Sequence, residues 1–200
     1  MILSVCVCVL QGHTQDVKMV KWHPCDDVLF SCSYDDTIKL WADDGSGDWH
    51  CVQTLSVLSN GHTSTVWGLS CNSDGDKMVS CSDDLTLKIW KGDVEQIDCE
   101  EEASWTHLST LSGYHDRTIF SVHWSREGII ASGGADNAIC LFAETKEDEG
   151  EFPSYKLVLK REKAHSMDVN CVQWGPGEKK LLASACDDGA IKIWELTART

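Results

Sequence analysis

The sequence predicts an all-β chain assembled from four copies of one antiparallel unit, and three regularities carry that prediction. His13, His62, His115 and His165 recur 49, 53 and 50 residues apart, and a period near fifty marks an array of repeated units. Each His is followed 27 to 29 residues later by a bulky aromatic, Trp41, Trp90, Phe142 or Trp194, and six residues before that aromatic stands an acid, Asp35, Asp84, Asp136 or Asp188. Nine residues after each His comes Trp22, Cys71, Trp124 or Trp174.

Taken in order, the first unit reads as short strands separated by turns. DVKMVKW (16–22), VLFSCS (28–33) and TIKLW (37–41) are β-rich, HPCDD (23–27) and YDD (34–36) are turns, and WHCVQTL (49–55) supplies a fourth strand. No segment is long enough or helically periodic enough to prefer a helix. The units run 13–58, 61–111, 113–160 and 164–196, the last incomplete, and residues 1–10 read as the outer strand of a preceding unit. KGDVEQIDCEEEAS (91–104) and AETKEDEGEFPS (143–154) are acidic and aperiodic, and read as exposed rim loops.

Composition narrows the functional classes. With 42% apolar and 24% charged residues the balance is globular, and 17 Lys+Arg against 32 Asp+Glu leaves a formal charge of −15. A chain so acidic, without a basic stripe, is poorly suited to nucleic acid or an anionic membrane. Eleven Cys, an odd number, cannot all pair within the chain. MILSVCVCVL lacks a basic n-region and a cleavage site and is too short to span a bilayer, so the reading is a soluble intracellular protein. Cys6 and Cys8 are one residue apart, closer than zinc-site spacing, and lone Cys99 has no companions for a cluster cage. Neither cofactor nor metal is expected. Nucleotide-binding glycine motifs and G-x-S-x-G are absent.

Four strands per unit, with Gly-His before the first and an Asp turn before the third, resemble the WD repeat of the β-propeller. The resemblance implies a buried hydrogen-bonded clamp in each blade: His13, Ser33, Asp35 and Trp41, then His62, Ser82, Asp84 and Trp90, then His115 with Asp136, and His165 with Asp188 and Trp194. Gly134 and Phe142 in the third unit, and Cys186 in the fourth, depart from the pattern and predict weaker clamps. A His/Ser/Asp trio also invites a hydrolase reading, but a catalytic triad occurs once, not in every repeat. Propellers of this kind close about seven blades, so four units form a partial ring whose exposed edges favour aggregation or dimeric closure.

HTQDVKMVKWHP (13–24), SCSYDDTIKLW (31–41), GHTSTVWGLS (61–70), SCSDDLTLKIW (80–90), AHSMDVNCVQW (164–174) and LSGYHDRTIF (111–120), with Tyr114 between Gly and His, are similar to one family. That family is the WD-repeat subunit of the cytosolic iron-sulfur protein assembly (targeting) complex, and the similarity is to its C-terminal portion. It implies a non-catalytic scaffold helping transfer Fe-S clusters to cytosolic and nuclear apoproteins. Its implied partners are a HEAT-repeat adaptor, a small acidic assembly protein, an iron-only-hydrogenase-like cluster carrier and the client apoproteins. The cytoplasm is the implied location, with the nucleus left open as a second. The other reading is a general WD-repeat adaptor, such as a ubiquitin-ligase substrate receptor or a chromatin subunit.

Propellers of this type bind partners on the face bearing the His and Asp turns. Three positions per unit should point there, three and five residues after the His and one before the Asp. They are Asp16, Lys18 and Tyr34; Thr65, Trp67 and Asp83; Thr118, Phe120 and Ala135; and Asp168, Asn170 and Asp187. Trp67 and Phe120, flanked by Asp83 and Arg117, read as an interaction hot spot. The plainer alternative is that both rings only cover the blade core.

Overall fold

A computed structural model describes residues 5–92, 105–145 and 153–197. Its strands form four antiparallel sheets, each meandering in chain order. The first holds β1 (Val17–Trp22), β2 (Val28–Ser33), β3 (Ile38–Asp43) and β4 (Trp49–Leu55), and the second β5 (Val66–Cys71), β6 (Lys77–Ser82), β7 (Leu87–Lys91) and β8 (Thr106–Leu111). The third contains β9 (Ile119–Trp124), β10 (Ile129–Gly134), β11 (Ile139–Thr145) and β12 (Ser154–Arg161). The fourth has three strands among the described residues, β13 (Val169–Trp174), β14 (Leu181–Cys186) and β15 (Ile191–Glu195).

The apolar residues of these strands are buried between sheets. Phe30, Ile38 and Leu40 of the first sheet pack with Val66, Leu69, Met78 and Trp90 of the second. Ile89 of the second sheet packs with Ile119 and Ile130 of the third, and Leu141 of the third with Val172 and Leu182 of the fourth. A sheet covered on both faces needs continuous apolarity, and a sheet covered on one face alternates. The fully covered β10 is buried almost throughout, whereas β14, with a neighbour on one face, alternates buried and half-buried residues. The outer faces of the first and last sheets leave Trp22 55% exposed and Ile191 75% exposed.

Side chains also stitch neighbouring sheets together through backbone N–H groups that strand pairing leaves unused. The N–H groups of Leu69, Trp124, Val172 and Trp174 donate to Met19 Sδ, Ser70 Oγ, Ser121 Oγ and His123 Nδ1 of the preceding sheet, at 3.3, 2.9, 3.0 and 3.2 Å. At Gly133 the third and fourth sheets come close, and a Cβ there would lie 2.6 Å from Val169 Cγ1.

Each sheet is tied to the turn that precedes it by a buried histidine. In the second sheet His62 Nδ1 lies 2.8 Å from Asp84 Oδ2, His62 Nε2 lies 2.7 Å from Ser80 Oγ, and Trp90 Nε1 donates to Ser80 Oγ at 2.9 Å. An indole N–H only donates and a carboxylate only accepts. One proton arrangement therefore satisfies all four groups: Trp90 donates to Ser80, Ser80 to the His62 Nε2 lone pair, and His62 Nδ1–H to Asp84. The same relay joins Trp41, Ser31, His13 and Asp35.

The linking hydroxyl is thus Ser31 and Ser80, not Ser33 and Ser82. Side chains alternate across a strand, so residues 31 and 33 share a face, and the one further along β2 reaches the turn instead of the indole. Ser33 and Ser82 donate to the Gln15 and Ser64 carbonyls and accept from the Asp35 and Asp84 N–H groups. Gly134 and Cys186 therefore leave the clamp hydroxyl in place, because Ser132 and Ser184 carry it. What the third clamp lacks is the indole donor, replaced by Phe142. The fourth keeps Trp194 to Ser184 at 2.8 Å, but His165 Nδ1 stands 3.5 Å from Asp188.

The aspartate also shapes its own turn. One carboxylate oxygen of Asp35, Asp84, Asp136 and Asp188 accepts the N–H two residues on. The residue between, Asp36, Leu85, Asn137 or Gly189, has φ of 66, 65, 63 or 78°. Leu85 bears the steric cost of that left-handed conformation.

Two features differ from the sequence expectation. Residues 5–10 run outside any sheet, with Val5, Val7 and Val9 exposed, because no neighbouring strand lies beside them among the described residues. Lys91, Ala143–Thr145 and Ser154 belong to strands, not loops, since β11 and β12 pair from Thr145↔Ser154 onward. Apart from Gly92 and Pro153, the rest of the two acidic stretches, 93–104 with Cys99 and 146–152, lies outside the described residues.

Three outcomes are expected. Ser80→Ala orphans the buried indole N–H of Trp90 and should lower the unfolding free energy by about 2 kcal/mol, read from urea titration. Leu85→Asn relieves the turn and should raise stability by about 0.5–1 kcal/mol in the same assay. Acid should weaken the fold in two stages. Burial lowers the His62 pKa, and it lowers that of His123 to about 4, so their stabilisation is complete above the unfolded value of 6.5 and fades below it. Burial works to raise Asp35, but hydrogen bonds from Thr37, Thr14 and His13 outweigh it and hold the carboxyl at about 2. That contribution is present above 3.8 and is lost towards pH 2, so melting temperature should be level between about pH 7 and 8, decline below 6.5 and collapse below 4.

Candidate functional site

The residues with most to offer a partner are placed by a repeated irregularity in the inner strands. Pairing of β1 with β2 steps from Val17↔Ser33 to Met19↔Cys32, leaving Lys18 as an extra residue. The same step leaves out Trp67 in β5, Phe120 in β9 and Asn170 in β13. A β-bulge takes one residue out of the alternation and re-aims its side chain. All four bulged residues are the positions five after the His.

A backbone hydrogen bond brings the other two positions alongside in every sheet. The N–H before each Asp donates to the carbonyl three after each His: Tyr34 to Asp16 at 3.0 Å, Asp83 to Thr65 at 3.0 Å, Ala135 to Thr118 at 2.8 Å and Asp187 to Asp168 at 3.2 Å. All twelve predicted positions thus lie at the bulged ends of the inner strands.

Their side chains group unevenly. Tyr34, Trp67 and Phe120 form a continuous edge-to-face row across three sheets, with ring centroids 5.3 and 5.2 Å apart. Lys18 caps its first end, with Nζ 4.0 Å from the Tyr34 centroid and 5.3 Å from that of Trp67. Trp67 Nε1 donates to Asp83 Oδ1 at 2.9 Å, which fixes the indole plane. The three rings are half-buried, and Trp67 also packs against the cluster between the second and third sheets. Covering the core and presenting a ring edge are therefore both true of this residue. Thr65 and Ala135 are buried and offer little surface.

Polar side chains dominate the rest of this surface. Arg117 donates to the Ala135 carbonyl at 2.7 Å and lies 3.6 Å from Asp168. Asn170 donates to Asp187, and Asp16 lies 3.9 Å from Lys18. Beside the aromatic row, burial and then the carboxylates of Asp35, Asp84 and Asp83 raise the Asp36 pKa, a sign of negative potential between the first two sheets. An apolar ridge with a cation at one end and carboxylates beside it suits a peptide or loop bearing both an apolar and a basic side chain.

Comparison with known proteins gives a consistent result. Residues 4–42, 49–91, 105–142 and 156–195 match the WD domain, G-beta repeat family. The chain is 65% identical over 161 residues to Protein CIA1 of Arabidopsis thaliana, covering 80% of this chain and 46% of that protein. It is 47% identical over 98 residues to a probable cytosolic iron-sulfur protein assembly protein CIAO1 homolog of Nematostella vectensis, and 43% identical over 106 residues to the human protein so named. Those matches cover 48% and 52% of this chain, and 30% and 31% of the relatives. The chain thus spans less than half the length of these curated relatives. Among solved structures, the RRP9 WD40 repeats superpose with a TM-score of 0.73 at 20% identity, covering 94% of this chain and 51% of theirs, a likeness of fold. With the repeat matched in all four sheets, the chain belongs to the WD domain, G-beta repeat family.

Proposed function

We propose that this chain is a non-catalytic interaction scaffold in cytosolic iron-sulfur protein assembly, binding partners through the Tyr34, Trp67 and Phe120 row. The observation that carries the reading is that row, two of whose rings, Trp67 and Phe120, sit on successive β-bulges, on a chain whose relatives are named for this process. A scaffold role fits the buried state of His62 and Ser80 and the recurrence of the same trio four times. A hydrolytic nucleophile would need access to substrate at one site. The partner classes are those the sequence resemblance implies: the HEAT-repeat adaptor, the small acidic assembly protein, the iron-only-hydrogenase-like cluster carrier and client apoproteins. Work in the cytosol follows from the same reading.

The four units, 13–58, 61–111, 113–160 and 164–196, act in this reading as blades of a longer ring. Exposed Val20 and Trp22 of β1, and Ile191 and Ile193 of β15, would be covered by neighbouring blades.

Affinity capture from cytosolic extract, with mass spectrometry, tests the function. Cluster-assembly proteins should be recovered, and Trp67→Ala should weaken their binding by about 2 kcal/mol, roughly 30-fold, a larger loss than it causes in unfolding free energy. Equal losses of binding and stability would mean that the ring only covers the core. Recovery of cullin or chromatin proteins instead would favour a general adaptor.

A further inference from the structure

The fourth clamp differs from the others in a way that bears on metal chemistry. In the first three sheets the histidine Nδ1 lies 2.8, 2.8 and 3.0 Å from its aspartate, whereas His165 Nδ1 stands 3.5 Å from Asp188 Oδ2. The His165 side chain is fully buried, and its Nδ1 has no hydrogen-bond partner among the described residues. A buried ring nitrogen left without a partner forfeits hydrogen-bond energy and calls for an explanation. At the register where the first two sheets carry Ser33 and Ser82, this sheet carries Cys186. The Cys186 thiol, a His165 ring nitrogen and an Asp188 carboxylate oxygen all lie within 4.8 Å of one another.

We propose that His165, Cys186 and Asp188 form a binding site for a divalent cation of the zinc class, with water as fourth ligand. Imidazole nitrogen, thiolate sulfur and carboxylate oxygen are the donors that zinc takes, and three protein ligands with one open position make a known coordination pattern. Tetrahedral zinc separates such donors by about 3.5 Å, so the set closes in by roughly 1 Å, which rotation of the Asp188 and Cys186 side chains can supply. The partners behind the ligands already orient them. Ser184 Oγ lies 2.7 Å from His165 Nε2, and Ser166 Oγ and Ala190 N–H donate to Asp188, each at 2.9 Å.

Binding needs a change of tautomer relative to the other clamps. With the proton on Nε2, His165 donates to Ser184 Oγ, which as a hydroxyl oxygen can also accept from Trp194, and Nδ1 offers its lone pair to the ion. Cys186 releases its thiol proton to solvent as the metal-sulfur bond forms. One dication then meets two anionic ligands, leaving the site neutral. Asp188, on an exposed turn, gives the ion its way in.

Cobalt(II) is the probe, because thiolate ligation gives it a charge-transfer absorption. The reduced full chain should bind it with that band. Cys186→Ser restores the residue type of the first two sheets and should abolish the band from this site and weaken cobalt affinity at least tenfold. Asp188→Asn, at an exposed position, should weaken affinity about tenfold while keeping the band at saturation. The other thiols contribute equally to all three proteins, so the differences report this site. Cobalt affinity unchanged in either folded variant would overturn the proposal. If Cys186→Ser does not fold, the Asp188→Asn comparison decides alone.

Discussion

The placement of the bulged residues depends on a buried imidazole that satisfies groups from three places at once. His62 accepts a hydrogen bond from Ser80, which accepts one from the Trp90 indole, and donates one to Asp84, which in turn accepts from the Thr63 and Thr86 N–H groups. In a low-dielectric interior each of these polar groups would be costly alone, so the relay holds together or fails together. Its effect is geometric. The Asp turn of a sheet and the segment leading into its first strand are locked at a constant separation, and the bulged inner strand between them projects its extra residue beside that turn.

The relay varies in step with its chemistry. With Phe142 in place of an indole, the third sheet loses a donor but keeps the ring, hydroxyl and acid. In the fourth, Cys186 stands where a hydroxyl would be, and the Asp188 N–H donates to sulfur at 3.4 Å. Sulfur is larger and a weaker acceptor than oxygen. There the acid sits further from the ring, and His165 Nδ1 is left without a hydrogen-bond partner among the described residues. Repetition of one device across four sheets thus makes each departure from it readable as local chemistry.

Between sheets, contact is mostly apolar, supplemented by single side chains that accept the next inner strand's spare N–H groups. These links hold neighbouring sheets at a set rotation, which is what lets Tyr34, Trp67 and Phe120, one from each of three sheets, meet edge to face. The row is a property of the array: a single sheet contributes one ring and no ridge.

Strand order and the four-fold repeat were legible in the sequence, because period-two burial and a His-to-aromatic spacing of 27 to 29 residues leave one antiparallel solution. The choice of clamp serine was legible too, though only by comparing units. SCS offers two serines in the first two copies, and only the first of them recurs as Ser132 and Ser184, ten residues before each aromatic. Tertiary structure alone decided which side chains meet. The bulges that expose Lys18, Trp67, Phe120 and Asn170 depend on pairing with the next strand. His165 and Cys186 are 21 residues apart, so no ligand spacing marks them, yet the turn brings nitrogen and sulfur together. Local pattern encodes what one strand or turn needs, while distances between distant side chains arise only when sheets pack against one another.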